Sequence, residues 1–184
     1  MTIEKRQDQR LRIITGEFRH RRINFSVGKD LRPTAARIRE TLFNWLTPDI
    51  VGKICLDLFA GSGILGFEAL SRGARSVTFV DNNRATVKQL AKNGRLLKTD
   101  KYNIIHGDYR KAFDQTYDII FLDPPYSLRL LPQLLEQVKA LQPQYIFLED
   151  KQPLSYWLNN RSDYHILKSK RAGDVHFALL CPSN

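Results

Sequence analysis

The sequence predicts an α/β fold: a mostly parallel, seven-stranded sheet with helices on both faces, finished by an antiparallel C-terminal hairpin. Three observations carry this prediction. From Gly52 onward, apolar runs of strand length alternate with segments of helical period. A glycine-rich turn joins the first of those strands to the first of those helices. Strand after strand then ends on an aspartate, and open parallel sheets bind their ligands at that carboxyl edge. At 184 residues the chain is sized for one domain with a continuous core. It divides into a flexible basic tail over 1–10, a hairpin-and-helix extension over 11–51, and the α/β domain over 52–184.

Leu11–Ile14 and Arg22–Phe25 flank Gly16 and the Arg19-His20-Arg21-Arg22 cluster, which reads as a small β-hairpin. After Arg32-Pro33, Thr34 is placed to cap a helix carrying Ile38, Leu42, Trp45 and Leu46 on one face, leaving Arg37 and Arg39 toward solvent or ligand. Strands follow at Ile54–Phe59, Ser76–Asp81, Asn103–Asp108, Asp118–Leu122 and Tyr145–Glu149. Helices begin at Ile64, cover Arg84–Lys98 and surround Leu131–Leu141. His165–Lys168 and Val175–Leu180, joined by Lys170–Asp174, complete the sheet as a hairpin. Neither an internal repeat nor a low-complexity tract interrupts this order.

The chemistry concentrates in Asp123-Pro124-Pro125-Tyr126, directly after Tyr117–Leu122. An exocyclic amino group on a base is a poor nucleophile because its lone pair is delocalised into the ring. Acceptors that grip its hydrogens return the pair to an electrophile, and Asp123 with the Pro124 carbonyl supplies such acceptors. Successive prolines have fixed φ and lack N–H, so the carbonyl directions are set in advance. Tyr126 adds a face on which a base can stack. Upstream, Asp57-Leu58-Phe59-Ala60-Gly61-Ser62-Gly63 lies between strand and helix, and Gly61–Gly66 matches G-x-G-x-x-G. The acid expected about 20 residues later, for ribose hydroxyls, is Asp81. That spacing suits any adenosine-containing ligand and does not separate NAD from S-adenosylmethionine. One domain leaves little chain for the second half that an NAD-linked oxidoreductase needs.

Charge points to a polyanionic partner: 29 lysines and arginines against 19 acids give a net charge of +10 and a pI near 9.8. Arg19, Arg21, Arg22, Arg37, Lys170 and Arg171 are the candidate phosphate contacts, in two clusters that could form one basic rim. Cys55 and Cys181 form no close pair and no metal-ligand spacing and read as small buried hydrophobes, while the four histidines are scattered. No metal is expected. The charged N-terminus and the absence of any apolar run near 18 residues argue against a membrane role and for a soluble, reducing, cytoplasmic setting.

With these residues assembled, the chain resembles the Rossmann-like class I S-adenosylmethionine-dependent methyltransferases, and among them the bacterial small-subunit (16S) ribosomal RNA guanine-N2 methyltransferase family, RsmD. Three blocks carry the resemblance: Arg32-Pro33-Thr34 with Arg37–Leu46, Asp57–Gly63 with Gly66 and Glu68–Ala74, and Leu122–Tyr126. It implies S-adenosyl-L-methionine as cofactor, with Asp57, Phe59, Gly61 and Gly63 beside it, Asp81 on the ribose and Asp108 at the adenine amino group. Asp123, Pro124, Pro125 and Tyr126 would receive the guanine. The implied partner is ribosomal RNA, within the small subunit or an assembly intermediate, met by a monomer. Two positions depart from the family pattern: Ala35-Ala36 replaces an acidic position after Thr34, and Asp81 stands where relatives often have Glu. A DNA amino-methylase and a non-catalytic RNA-binding module are the competing readings.

Overall fold

The computed structural model describes residues 8–26, 33–158 and 161–183. Strands β1 (Asp8–Arg12) and β2 (Arg22–Ser26) pair as an antiparallel hairpin. Helix α1 (Ala36–Leu46) follows, and then β3 (Ile54–Asp57), α2 (Ile64–Ser71), β4 (Ser76–Asp81), α3 (Arg84–Leu97), β5 (Tyr102–His106) and β6 (Ile119–Leu122). Helix α4 (Leu131–Lys139), β7 (Tyr145–Asp150), α5 (Leu154–Leu158), β8 (Tyr164–Ala172) and β9 (Val175–Pro182) complete the chain.

The large sheet has seven strands in the order β5-β4-β3-β6-β7-β9-β8, parallel from β5 to β7 and antiparallel over the last two. The strand order reverses between β3 and β6, and a crevice opens at such a switch point, at the carboxyl ends of the strands. The central strands are buried along nearly their whole length and mostly apolar, because helices cover both faces. One core layer gathers Ile38, Leu42, Phe43, Phe67, Phe79, Phe121 and Phe147, the other Leu56, Val80, Ile120, Leu134, Leu135 and Leu148.

Gly66 shows why a glycine turn here serves packing as well as ligands: an added Cβ would lie 2.2 Å from the Phe79 ring, so only glycine lets α2 sit this close to β4. The hairpin packs far from the crevice. Helix α2 starts at the crevice and ends about 12 Å further along at Ser71, where Ser71 accepts from Glu17 N at 2.7 Å and from Phe18 N, through Oγ, at 2.9 Å.

Several expectations change. Strand β1 begins at Asp8, so residues 8–10 are paired strand; the rest of the anticipated tail, and Arg32, lie outside the described residues. Arg39 is buried, 3 % exposed, and pairs with Glu68 instead of facing solvent. Thr34 does not cap α1: Ala35 is the N-cap residue, without a side-chain bond. Lys170 and Arg171 belong to β8, because the hairpin turns tightly at Gly173-Asp174, with Gly173 at φ 64°. Cys55 is buried as expected, but Cys181 is only partly so. Short α5 has no periodic pattern that would have announced it. Among the described residues no helix is long and apolar enough to cross a membrane.

Candidate active site

A cavity of about 580 Å³ fills the switch-point crevice, a size in the ordinary range for small-molecule sites. Its wall runs continuously from Asp57–Ser62 through Asp81 and Asp108 to Asp123–Leu128. One cavity therefore takes in both regions that the sequence singled out.

On the β3–β4 side, each carboxylate is held by backbone. Asp57 ends β3, is buried, and accepts from Gly66 N at 3.1 Å; burial, more than its partners, pushes its carboxyl up to about 7. Asp81 ends β4 and accepts from Gly61 N at 3.0 Å through one oxygen and from Asn83 N at 2.7 Å through the other. The acid thereby shapes the glycine turn 20 residues upstream, and burial raises its pKa. Gly61 sits at φ 48° on the wall. Gly63 does not line the cavity: its φ is 76°, and an added Cβ would lie 2.4 Å from Leu90, so it serves the turn.

Asp108 lies on the wall, two residues beyond the end of β5, at the head of a 3₁₀ turn over Tyr109–Ala112. Its carboxylate accepts from Arg110 Nε at 2.7 Å and Nη2 at 2.9 Å, which holds it down to about 2. Phe59 and Tyr109 both line the cavity with ring centroids 5.6 Å apart. Tyr109 was not singled out from sequence, although an aromatic next to Asp108 could have been.

Asp123 follows the last residue of β6 and accepts from Thr34 Oγ1 at 3.1 Å through Oδ2. Thr34 thus serves the site, which accounts for the missing cap. Burial first, and the neighbouring Glu149 next, push the Asp123 carboxyl well above the usual range. Pro124, Pro125 and Tyr126 line the cavity, and the Tyr126 hydroxyl donates to Glu149 Oε1 at 2.8 Å. Lys151 Nζ lies 5.8 Å from the Tyr126 ring centroid. Sequence reasoning missed Glu149, Asp150 and Lys151; the signal was a fifth acidic strand end, on β7.

The six basic candidates do not form one rim. Residue 176 pairs with Asp150 at the crevice end of β7, so the β8–β9 turn with Lys170 and Arg171 stands at the crevice. Arg37 joins it, with Nη2 3.2 Å from where a Gly173 Cβ would be. The hairpin tip with Arg19, Arg21 and Arg22 sits at the opposite edge, where the Arg21 guanidinium donates to Leu96 O and Leu97 O at the end of α3.

Comparisons with known proteins agree with this geometry. A family model described as Conserved hypothetical protein 95 matches residues 11–181. Ribosomal RNA small subunit methyltransferase D of Haemophilus influenzae is 38 % identical over 182 residues, covering 92 % of each chain. The protein of the same name from Escherichia coli K12 is 37 % identical over 175 residues, covering 92 % of this chain and 88 % of its own. The solved structure of a putative methyltransferase, yhhF from Escherichia coli, superimposes with a TM-score of 0.81 at 34 % identity, over 95 % of this chain and 98 % of that one. The chain therefore belongs to the bacterial RsmD family and is a methyltransferase of the class I fold.

Proposed function

We propose that this protein transfers a methyl group from S-adenosyl-L-methionine to the exocyclic N2 of a guanine in small-subunit ribosomal RNA, acting as a cytoplasmic monomer on the subunit or an assembly intermediate. The observation that carries the proposal is the shared cavity, which joins the glycine turn, Asp81 and Asp108 on one side to Asp123–Tyr126 on the other. The first half fits the cofactor. Asp57, Phe59 and Gly61 would lie beside it with Gly63 setting the turn, Asp81 would offer its carboxylate to the ribose hydroxyls, and Asp108 would face the adenine. When bound, the cofactor would supply an electrophilic sulfonium methyl carbon to the nitrogen, its sulfur leaving as a neutral thioether with the bonding electron pair.

The chain's own residues prepare the nitrogen. Asp123, steadied by Thr34, and the Pro124 carbonyl accept the amino hydrogens; as nitrogen becomes positive these contacts strengthen, so they act mostly in the transition state. Tyr126 stacks the base. The guanine must leave its own stack to enter. Arg37, Lys170 and Arg171 at the crevice would hold the flanking phosphates, while Arg19, Arg21 and Arg22 mark a second basic area that a large RNA could also reach.

The test supplies small subunits, and separately protein-free 16S RNA, from cells lacking this protein with radiolabelled S-adenosylmethionine, then identifies the labelled nucleoside. N2-methylguanosine is expected. Label in another nucleoside, or in DNA only, would overturn the substrate.

A further inference from the structure

Side chains alternate along strands, so Asp57 shares a sheet face with Cys55, and Glu149 shares that face with Phe147. Leu122 and Leu148 are paired in parallel strands, which makes the next two residues, Asp123 and Glu149, neighbours across β6 and β7. Glu149 is 4 % exposed. Its Oε1 receives the Tyr126 hydroxyl, while its buried Oε2 has no hydrogen-bond partner. No cation pairs with it among the described residues.

The groups around it are mostly acidic. Asp123 and Asp57 lie toward the cavity, and Asp150 follows in β7. On β9, Phe177 stands opposite Glu149 and His176 opposite Asp150. Exposed Lys151 lies over the Tyr126 ring. On the helix covering this face, Arg39 is committed to Glu68 and Arg37 lies beside Gly173. A buried carboxyl with one oxygen unpartnered, beside a second carboxyl, is costly unless a proton is shared. Consistent with that, burial pushes Glu149 up to about 7.

We propose that Glu149 is a positioning residue that aims Tyr126 through its hydroxyl and makes Asp123 the acceptor of the amine's proton. The proposal rests on the function above and adds to it the fate of that proton. As nitrogen bonds to the methyl carbon it becomes positive. Its N–H electron pair then stays on nitrogen and the proton passes to the Asp123 carboxylate. Glu149 keeps Asp123 basic enough to take that proton near neutral pH, and the acid returns it to water after product leaves.

Glu149→Gln separates the two tasks, because glutamine still accepts from Tyr126 but carries no second carboxyl. In single-turnover methyl transfer to small-subunit RNA, the acid limb of the pH–rate profile should move down by about one unit or more, with RNA affinity retained. Glu149→Leu should weaken RNA binding as well. An acid limb that stays in place in Glu149→Gln overturns the proposal, as does equal loss of RNA affinity in both variants. An independent readout uses the unaltered protein labelled with carboxyl-¹³C glutamate. One resonance titrating near neutrality and missing from Glu149→Gln supports the role; all glutamates titrating around the ordinary ~4.3 contradict it. If the wild type transfers no methyl group at any pH, the function fails instead, and the resonance still decides the state of Glu149.

Discussion

Two buried glutamates, Glu68 and Glu149, show opposite ways of living inside this protein. Glu68 in α2 receives Ile14 N at 2.9 Å, Thr15 N at 3.1 Å and Arg72 Nε at 3.2 Å, and lies 3.5 Å from Arg39. Glu149 receives one hydroxyl, leaves one oxygen bare and sits beside more acids. At the hairpin end, charge is matched because the carboxylate is a latch for the N-terminal extension. At the crevice it is mismatched, which costs stability and fits the binding and proton-exchange roles proposed for those carboxyls.

Removing the latch should have the largest effect. Glu68→Ala strands the buried Arg39 guanidinium, the partly buried Arg72 guanidinium and two backbone N–H groups, and should lower unfolding free energy by about 3–5 kcal/mol in urea melts. A loss below about 0.5 kcal/mol would mean that the apolar contacts and the Ser71 and Arg21 hydrogen bonds hold the hairpin without the Glu68 latch. At the crevice, Tyr126→Ala should weaken RNA binding by about 1–3 kcal/mol through lost stacking. Tyr126→Phe keeps the stacking face and should lose only the smaller part that the Glu149 hydrogen bond contributes by aiming the ring, about as much as Glu149→Leu; a loss equal to that of Tyr126→Ala in a filter-binding titration would assign the work to the hydroxyl and not to stacking.

The pH dependence sharpens the contrast further. Glu149 has a folded pKa raised above its unfolded value, so the native state binds the extra proton between about 4.3 and about 7. Its contribution is present below that window and lost as pH rises through it. Relative to Glu149→Gln, the wild type should therefore lose melting temperature on going from pH 4 to pH 7; a difference that is flat or rises would contradict the assigned shift. The smallest effect concerns the crevice arginines and lysine. Lys170→Ala should reduce the log–log salt slope of RNA binding by about 0.7, the share of one single-strand phosphate contact. No change in slope would remove Lys170 from the interface.

How much of this was legible follows from how local each signal is. Asp57–Gly63, Asp81 and Asp123–Tyr126 announce themselves because strand, turn and residue type lie within a few positions of one another, and the sheet alternation puts their ends on one edge. The hairpin and sheet class were legible for the same reason. Partnerships across the fold were not. Arg39 is 29 residues from Glu68, and helix periodicity could place it beside the buried stripe without revealing a buried acid to receive it. Thr34 read as a cap because threonine before a helix usually is one, yet its hydroxyl reaches Asp123, 89 residues away. The single basic rim failed because chain ends carry no information about which edge of the sheet they meet. Glu149 hid in an ordinary strand, Tyr145–Asp150, whose acidic end matters only beside Asp123.

The most direct measurement pairs single-turnover methyl transfer with calorimetric binding of S-adenosylhomocysteine for Asp123→Ala. The rate should fall about 10²- to 10³-fold while cofactor-product affinity and folding stay near wild type, because the proposed role of Asp123 is to grip the amine and not to support the fold. Near-normal turnover, or a rate loss that merely follows unfolding, would contradict the assignment of this carboxylate as the group that readies the nitrogen.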